Sequence, residues 1–196
     1  MVREGLLKED FVTPTGSDLS DRYRAGNGWA ATSRLRAANQ LREALSHHSQ
    51  LTLVADAGAE FFLQLMTART VTVTVLIDGV YCDLVIAGEL PPGEVRYPAD
   101  AVFAEDLYPE STRLLRERGG YLTSDPQDPV FVEYAVSSVS LGFTSLMGVA
   151  IVQAGEVRGE VCLTRGPNQP AFTDDDFSLV RDLATSFGAR LVTATR

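Results

Sequence analysis

The stretch FTDDDFSLVRDLATSFGARL, residues 172–191, decides the fold because it carries a complete set of helix signals. Thr173 predicts an N-cap, and Asp176 follows three residues later, as in a capping box. The acidic residues at 174–176 fall in the first turn, where negative charge favours the helix dipole. Apolar residues then recur at three- and four-residue steps and predict one buried face: Phe177, Val180, Leu183, Ala184, Phe187 and Leu191.

Strands precede this helix. SLMGVAIVQAG (145–155) and EVRGEVCLTRG (156–166) predict an antiparallel hairpin with a short connection through Gly155. Further upstream, RTVTVTVLID (69–78) alternates with a period of two, and Asp78-Gly79 is a strong hairpin turn signal. VYCDLVIAGEL (80–90) predicts the returning strand, and EVRYP (94–98) predicts a short third strand.

Two helices are predicted at the N-terminal end, over residues 32–48 and 51–66, with Ser33 as the first N-cap. The first helix carries a narrow apolar stripe: Leu35, Ala38, Leu41 and Leu45. Such a stripe suits either a helix-bundle contact between two copies of the chain or packing on the chain's own sheet. Both interpretations stay open at this stage.

The region between the two sets of strands is the least regular part. YPESTRLLRERGG (108–120) predicts a short helix that starts near Ser111 or Thr112 and ends at Gly119-Gly120. A second short helix is predicted in FVEYAVSSVSLG (131–142). The order helix, helix, strands, helical insert, strands, helix indicates an α+β domain with an antiparallel sheet. We expect an N-terminal extension over 1–30, anchored by Trp29, and one domain over 31–196.

Charge and composition limit the function classes. The chain has 17 basic and 26 acidic residues and a net charge of −9, which disfavours nucleic acid and anionic membranes as partners. No secretory signal or stretch of about 20 apolar residues is visible, so a cytoplasmic location is expected. The two cysteines, Cys82 and Cys162, are expected to be unpaired thiols.

Several segments together resemble the GAF domain family. LGFTSLMGVAIV (141–152), EVRGEVCLTR (156–165) and GGYLTSDPQDPVF (119–131) are similar to GAF strands and to the segment before a pocket wall. The most specific match is the phrase F-T-x-x-D followed by an apolar residue, filled by Phe172, Thr173, Asp176 and Phe177. The resemblance covers roughly residues 35–192, and the related PAS architecture is the main structural alternative.

The resemblance implies a sheet of about six antiparallel strands with the N- and C-terminal helices on one face. The helical insert would cover a small pocket on the other face, and the terminal helices would form a homodimer. Aromatic and apolar candidates for this pocket lie mostly in the irregular region: Tyr97, Phe103, Tyr108, Tyr121, Phe131, Tyr134 and Met147. Polar candidates are Asp125, Asp128 and Glu133.

The sequence lacks most of the residues that bind the known ligands of GAF domains. The two histidines, His47 and His48, are adjacent at a helix end, so they do not share one metal site. Haem or bilin binding of the GAF type would require a histidine near the pocket, and the cyclic-nucleotide motif is missing. Metal, protein-ligated haem and bilin are therefore not expected, and the cofactor is unknown.

One enzymatic alternative uses cysteine chemistry, as in the GAF-type free methionine sulfoxide reductases. Cys162 is the better redox candidate because its strand face also carries Glu160, whereas the face of Cys82 carries Leu84 and Ile86. The chain lacks the three-cysteine set of those enzymes, and a buried structural thiol is the favoured interpretation.

The function expected from the sequence is therefore a non-catalytic sensory or regulatory domain. It would bind an unknown small molecule, or signal through dimerisation and a partner protein. A structural dimerisation module with a filled pocket remains the other alternative.

Overall fold

The computed structural model describes residues 29–89, 102–137 and 142–194. The helices are α1 (Ala31–Ser46), α2 (Leu51–Met66), α3 (Pro109–Arg118), α4 (Pro129–Ser137) and α5 (Asp174–Thr193). The strands are β1 (Thr70–Ile77), β2 (Val80–Gly88), β3 (Val102–Ala104), β4 (Gly120–Thr123), β5 (Ser145–Gln153) and β6 (Glu156–Arg165). The predicted α+β class is confirmed, while the strand predicted at 94–98 lies outside the described residues.

The strands form one antiparallel sheet in the order β3-β2-β1-β6-β5-β4. Helices α2 and α5 pack on one face of the sheet, and α1 packs on α2 and α5. We call this side the helix face and the opposite side, which α3 and α4 cover, the far face. The main core fills the helix face and includes residues from all three of its helices. None of the helices in the described part of the chain is long and apolar enough to cross a membrane.

The start of α1 differs from its prediction. The helix begins at Ala31, and Ala30 occupies the N-cap position without a side-chain hydrogen bond, so the prediction of Ser33 as N-cap is wrong. Instead, the Trp29 backbone N–H donates to Asp175, and the Trp29 indole Nε1 donates to Asp176 at 3.0 Å. Contacts with α5 therefore determine this end of the helix, while the extension that Trp29 is predicted to anchor lies outside the described residues.

The apolar stripe on α1 divides between two environments. Leu41 and Leu45 are buried in the helix-face core, whereas Leu35 is 64% exposed and Ala38 is half-buried. Leu41 and Leu45 therefore pack within the chain, and the prediction that they form a dimer contact is wrong. Only the N-terminal part of the stripe faces outward.

Helix α3 begins two or three residues before its predicted start near Ser111 or Thr112, at Pro109, where proline suits the first helical turn. Its predicted end is confirmed: Gly119 has φ 75°, the left-handed conformation that glycine adopts without strain.

A β-bulge decides which residues of β2 lie on each face. Val73 pairs with Val85, but Thr74 pairs with Asp83, so Leu84 is the extra residue. As a result, Val85 packs in the helix-face core, whereas Asp83 lies on the far face beside Thr74. Without the extra residue, the simple alternation of β2 would have placed both on the same side.

The start of α5 is held by a buried ion pair. Arg165 at the end of β6 is 1% exposed and lies 3.5 Å from the Asp176 carboxylate. Its guanidinium also donates to the backbone carbonyls of Met66 and Pro170 and stacks on the Phe172 ring at 4.0 Å. These bonds tie β6 to the end of α2 and to the loop before α5.

The predicted capping box at the start of α5 is confirmed. The Asp176 N–H donates to Thr173 Oγ1 at 3.2 Å, and the Thr173 N–H donates to Asp176 Oδ2 at 3.1 Å. Asp176 thus serves the cap, the Arg165 ion pair and the Trp29 indole. One carboxylate therefore joins α1, β6 and α5.

Replacing Asp176 by alanine is expected to lower the free energy of unfolding by about 3–5 kcal/mol, because it leaves a buried guanidinium without its partner. The matched control is Asp174→Ala, which removes an exposed first-turn carboxylate and should cost less than about 1 kcal/mol. Urea unfolding of the three proteins measures both values. Similar small losses in both variants would contradict this account.

Candidate functional site

A row of polar side chains crosses the far face of the sheet. Glu160 of β6 pairs with Thr74 of β1, and Thr74 pairs with Asp83 of β2. All three side chains are buried, and Thr74 Oγ1 donates to Asp83 Oδ1 at 2.7 Å. The far face therefore holds two buried carboxyl groups on strands that are separated only by β1.

Two tyrosines hold the Glu160 carboxyl group. The Tyr121 hydroxyl of β4 donates to Glu160 Oε1, and the Tyr134 hydroxyl of α4 donates to Glu160 Oε2 at 3.1 Å. The two hydroxyl oxygens are 2.6 Å apart. We call Glu160, Tyr121 and Tyr134 the tyrosine–glutamate cluster. It connects the floor of the far face to the elements that cover it.

The backbone of β5 makes room for this cluster. Gly148 lies between Tyr121 of β4 and Cys162 of β6 in the strand pairing. A Cβ at Gly148 would come within 2.0 Å of Glu160 Oε1 and 2.2 Å of Tyr121 Cζ. Glycine is therefore required for Tyr121 to lie across β5 and reach Glu160.

The protonation of the site follows from its burial. Burial raises the pKa of Glu160 to about 7, although the Tyr121 and Tyr134 hydrogen bonds lower it and the Asp83 charge raises it further. Burial also raises the pKa of Asp83, against the hydrogen bond from Thr74. For both tyrosines, burial and the negative charge of Glu160 place the hydroxyl pKa well above its ordinary value. The tyrosines therefore act as neutral donors.

Aromatic rings lead from the edge of the sheet to this cluster. Phe103 contacts Tyr108 at 6.2 Å between ring centroids, Tyr108 contacts Tyr134 at 5.4 Å, and Tyr134 contacts Tyr121 at 5.9 Å. Tyr81 joins the row with a 6.4 Å contact to Tyr108. We call these five residues the aromatic row. Phe103, Tyr108 and Tyr134 are half-buried, while Tyr121 and Tyr81 are 5% exposed, so the row runs from partial exposure to full burial.

Four of the predicted pocket residues thus come together: Phe103, Tyr108, Tyr121 and Tyr134. Phe131 lies beside them in the apolar cluster of the far face and stacks on Phe143 at 4.6 Å. The prediction that Met147 lines the pocket is wrong, because Met147 lies in the helix-face core on the other side of the sheet. Tyr97 lies outside the described residues.

The predicted polar pocket residues have local structural roles. Asp125 Oδ1 accepts from the Gln127 N–H at 2.9 Å, and Asp128 Oδ1 accepts from the Val130 N–H at 2.9 Å at the start of α4. The Glu133 carboxylate accepts from two backbone N–H groups of the first turn of α3. These bonds agree with ordinary loop and capping roles, and the placement of the three residues as polar members of the pocket stays a prediction.

Glu160, Asp83 and Tyr81 are the site residues that sequence reasoning missed. In the sequence, Glu160 enters only as a neighbour of Cys162, although a carboxylate among the apolar residues of a central strand is itself a signal of a functional or structural site. Asp83 and Tyr81 could be assigned to the far face only with knowledge of the bulge in β2.

The two cysteines lie on opposite faces of the sheet. Cys162 is 6% exposed on the far face, where the Tyr121 hydroxyl lies 3.9 Å from its sulfur. Cys82 pairs with Val75 and β1 separates β2 from β6, so the two thiols are too far apart for a disulfide. The prediction that Cys82 and Ile86 share a face is wrong because the bulge lies between them.

The histidines stand apart from this site. His47 ends α1 as its C-cap residue, and the His48 carbonyl accepts from the Arg190 guanidinium. Within residues 29–89, 102–137 and 142–194, no group of three or more His, Cys, Asp or Glu side chains could hold a metal ion.

The fold and the far-face site define a class of protein: an α+β domain with a helical layer on one face of a six-stranded sheet and a covered polar site on the other. Residues 36–191 match the family model of the GAF domain. The chain belongs to the GAF domain family, which is a sensory and regulatory family. Among curated proteins, no sequence matches this chain significantly.

Solved structures confirm the fold. The GAF domain of a phosphoenolpyruvate-protein phosphotransferase from Coxiella burnetii matches with a TM-score of 0.66 and 16% identity, covering 83% of this chain and 94% of that one. The corresponding domain from Acinetobacter gives a TM-score of 0.63 and 12% identity, with 83% and 95% covered. The chromophore-binding domain of a Stigmatella aurantiaca bacteriophytochrome gives 0.65 and 12%, with 82% and 60% covered.

The raised pKa of Glu160 predicts a loss of stability at neutral pH. Below about pH 4.5 the carboxyl is protonated in both states, and its contribution is fully present. Between pH 4.5 and 7 the unfolded chain ionises while the folded chain stays protonated, so the free energy of unfolding falls with rising pH. Asp83 contributes in the same direction.

Relative to Glu160→Gln, the wild-type protein should lose about 2–3 kcal/mol between pH 5 and pH 8. Urea unfolding at both pH values measures this difference. The control Glu156→Gln changes an exposed carboxylate on the same strand and should follow the wild type. A difference that does not vary with pH would show that Glu160 is ionised in the folded state at pH 5.

Proposed function

We propose that this chain is a non-catalytic regulatory GAF domain that binds a small molecule on its far face. The observation that carries the proposal is Glu160, a buried carboxyl group on the floor of the far face. The aromatic row leads to it from a half-buried rim. A concave apolar surface with a few convergent polar groups is the usual character of a ligand site.

The same hydrogen bonds supply a means of signalling. Tyr134 belongs to α4, and its hydroxyl is bound to Glu160 on β6. A ligand that takes the place of this hydroxyl would release α4 from the sheet floor. Binding would thereby be coupled to the position of a helix whose outer surface includes the 45% exposed Val132. A partner protein that contacts α4 would receive the signal.

The proposal is non-catalytic because the far-face thiol is poorly suited to redox chemistry. Burial, followed by the Glu160 charge, raises the pKa of Cys162 well above its ordinary value. The thiolate is the reactive form of cysteine, and reactive cysteines lie in accessible, electropositive surroundings. Cys162 has a carboxyl group and a tyrosine hydroxyl as its polar neighbours. These features favour a binding domain over a thiol-dependent reductase.

Dimerisation through the N-terminal helix is a further part of the proposal. Leu35 is exposed on α1, while the half-buried Ala38 packs at the edge of the helix-face core. Arg34, next to Leu35, is held by ion pairs to Asp175 and Asp182 of α5, so α1 and α5 would enter a dimer contact as one rigid unit.

Native mass spectrometry of the purified protein tests ligand binding. We expect wild-type protein, analysed directly after purification at low temperature, to retain one small molecule per chain. Glu160→Gln should lose this mass because the carboxyl group is part of the site, whereas the exposed-site control Glu156→Gln should retain it. Denaturing mass spectrometry then gives the mass of the compound.

Two results would contradict the proposal. Wild-type protein that carries no added mass and also binds no small molecule added to it would favour a structural module whose far face is filled by its own tyrosines. A mass retained equally by Glu160→Gln would show that the compound binds away from the far face.

A further inference from the structure

The two buried carboxyl groups of the far face have no positive partner in the described part of the chain. Glu160 accepts from the Tyr121 and Tyr134 hydroxyls, and Asp83 accepts from the Thr74 hydroxyl. Each of these donors is neutral. A buried carboxylate is normally paired with a cation or protonated, because desolvation of an unpaired charge is costly. Among the described residues, nothing therefore supplies the positive charge that these carboxyl groups would favour.

The groups that bond Glu160 or act on it electrostatically come from β4, α4, β2 and β6 itself. Tyr121 comes from β4, Tyr134 from α4, Cys162 from β6 itself and Asp83 from β2. The residues paired beside Glu160 on β5 and β1, Ala150 and Thr74, are uncharged. Among these neighbours there are acids and hydroxyls but no base.

A nearby arginine, Arg116, does not supply a positive partner for these carboxyl groups. Burial raises the pKa of the Tyr81 hydroxyl in the aromatic row, and the Arg116 guanidinium on α3 opposes this rise only as its smallest contribution. Arg116 is 55% exposed and forms an ion pair with Glu105, which largely neutralises it. Its described ion-pair partner is thus Glu105 and not Glu160.

The aromatic row provides a second kind of attraction for positive charge. Aromatic rings attract cations to their faces when the charge lies within about 6 Å of the ring centroid. Tyr108 and Tyr134 are tilted by 48° with centroids 5.4 Å apart, and Tyr134 is bonded to Glu160. Ring faces and a carboxyl group therefore converge at one place, at the inner end of a half-buried aromatic path.

We propose that the far-face site binds a small organic ammonium ion. The positive charge of the ion lies next to the Glu160 carboxyl group, and its alkyl groups lie against the rings of Tyr108 and Tyr134. The ammonium group takes the position of the Tyr134 hydroxyl at Glu160 Oε2. This inference rests on the proposed function, because it names the ligand class of the same site. It accounts for two buried carboxyl groups and five aromatic rings at a site where neither carboxyl group bonds a basic side chain among the described residues.

Isothermal titration calorimetry with simple probes tests the charge requirement. The probes are choline and butylammonium, and 3,3-dimethyl-1-butanol serves as the neutral isostere of choline. We expect at least one cation to bind, and the neutral isostere to bind at least about tenfold more weakly. Glu160 would become ionised beside the cation, so binding at pH 6 should also release a proton, which appears as a dependence of the heat on the buffer's ionisation enthalpy.

Paired variants locate the binding. Tyr108→Leu keeps an apolar side chain but removes the ring face, and should weaken cation binding about tenfold. Tyr108→Phe keeps the ring and should stay within about threefold of the wild type. Glu160→Gln should weaken binding about tenfold or more and abolish the proton release. Circular dichroism and the urea midpoint confirm that each variant is folded.

The outcomes separate this inference from the proposed function. Binding of the neutral isostere as tightly as choline, or no binding of either cation, would overturn the ammonium inference. If a neutral or anionic compound is retained at the same time in native mass spectrometry and lost in Glu160→Gln, the proposed function stands with a different ligand. If the protein retains no compound and also binds neither cation, the ammonium inference and the proposed function are both overturned.

Discussion

The buried guanidinium of Arg165 is the contact on which the rest of the domain depends. It joins the last carbonyl of α2, the loop before α5 and the Asp176 carboxylate that caps α5. It also explains the F-T-x-x-D phrase physically: Phe172 stacks on the guanidinium, Thr173 caps the helix and Asp176 serves both. Because a buried charge that loses its ion pair or hydrogen bonds is costly in free energy, this network specifies one position of β6 against the helices.

That position determines what the far face can present. Alternation along β6 directs Val161 and Leu163 into the helix-face core, and directs Glu160 and Cys162 to the other side. The helix face is therefore apolar and closely packed, while the far face carries acids, hydroxyls and rings. Such a division fits a domain in which one layer provides stability and the other is specialised for binding, since departures from an apolar interior commonly mark functional sites.

Much of the architecture could be predicted because its signals are local. The capping box at Thr173 and the alternation of β1 are examples, and each was confirmed because it depends on neighbouring residues. The start of α1 was not predictable in this way. Trp29 and Arg34 fix it through contacts with acidic residues of α5 more than 140 positions away, and Ser33 offered a local signal that these contacts overrode.

The candidate site was predictable only in part, for the same reason. The aromatic character of the irregular region is visible in the sequence, and Tyr108, Tyr121 and Tyr134 do meet. The face on which Met147 lies depends on strand register. The placement of Asp83 and Glu160 on the same face depends on a bulge and on the pairing of three strands. These are long-range properties that spacing along the chain does not encode.

The titration of the Glu160 carboxyl group is the most direct test of the account. Carbon-detected NMR of protein labelled at the glutamate side-chain carboxyl, with the Glu160 signal assigned by its loss in Glu160→Gln, follows this single group through the pH range. The account predicts a midpoint near pH 7, as expected for a carboxyl group buried among tyrosines without a cation. A midpoint near the ordinary glutamate value of about 4.3 would contradict it.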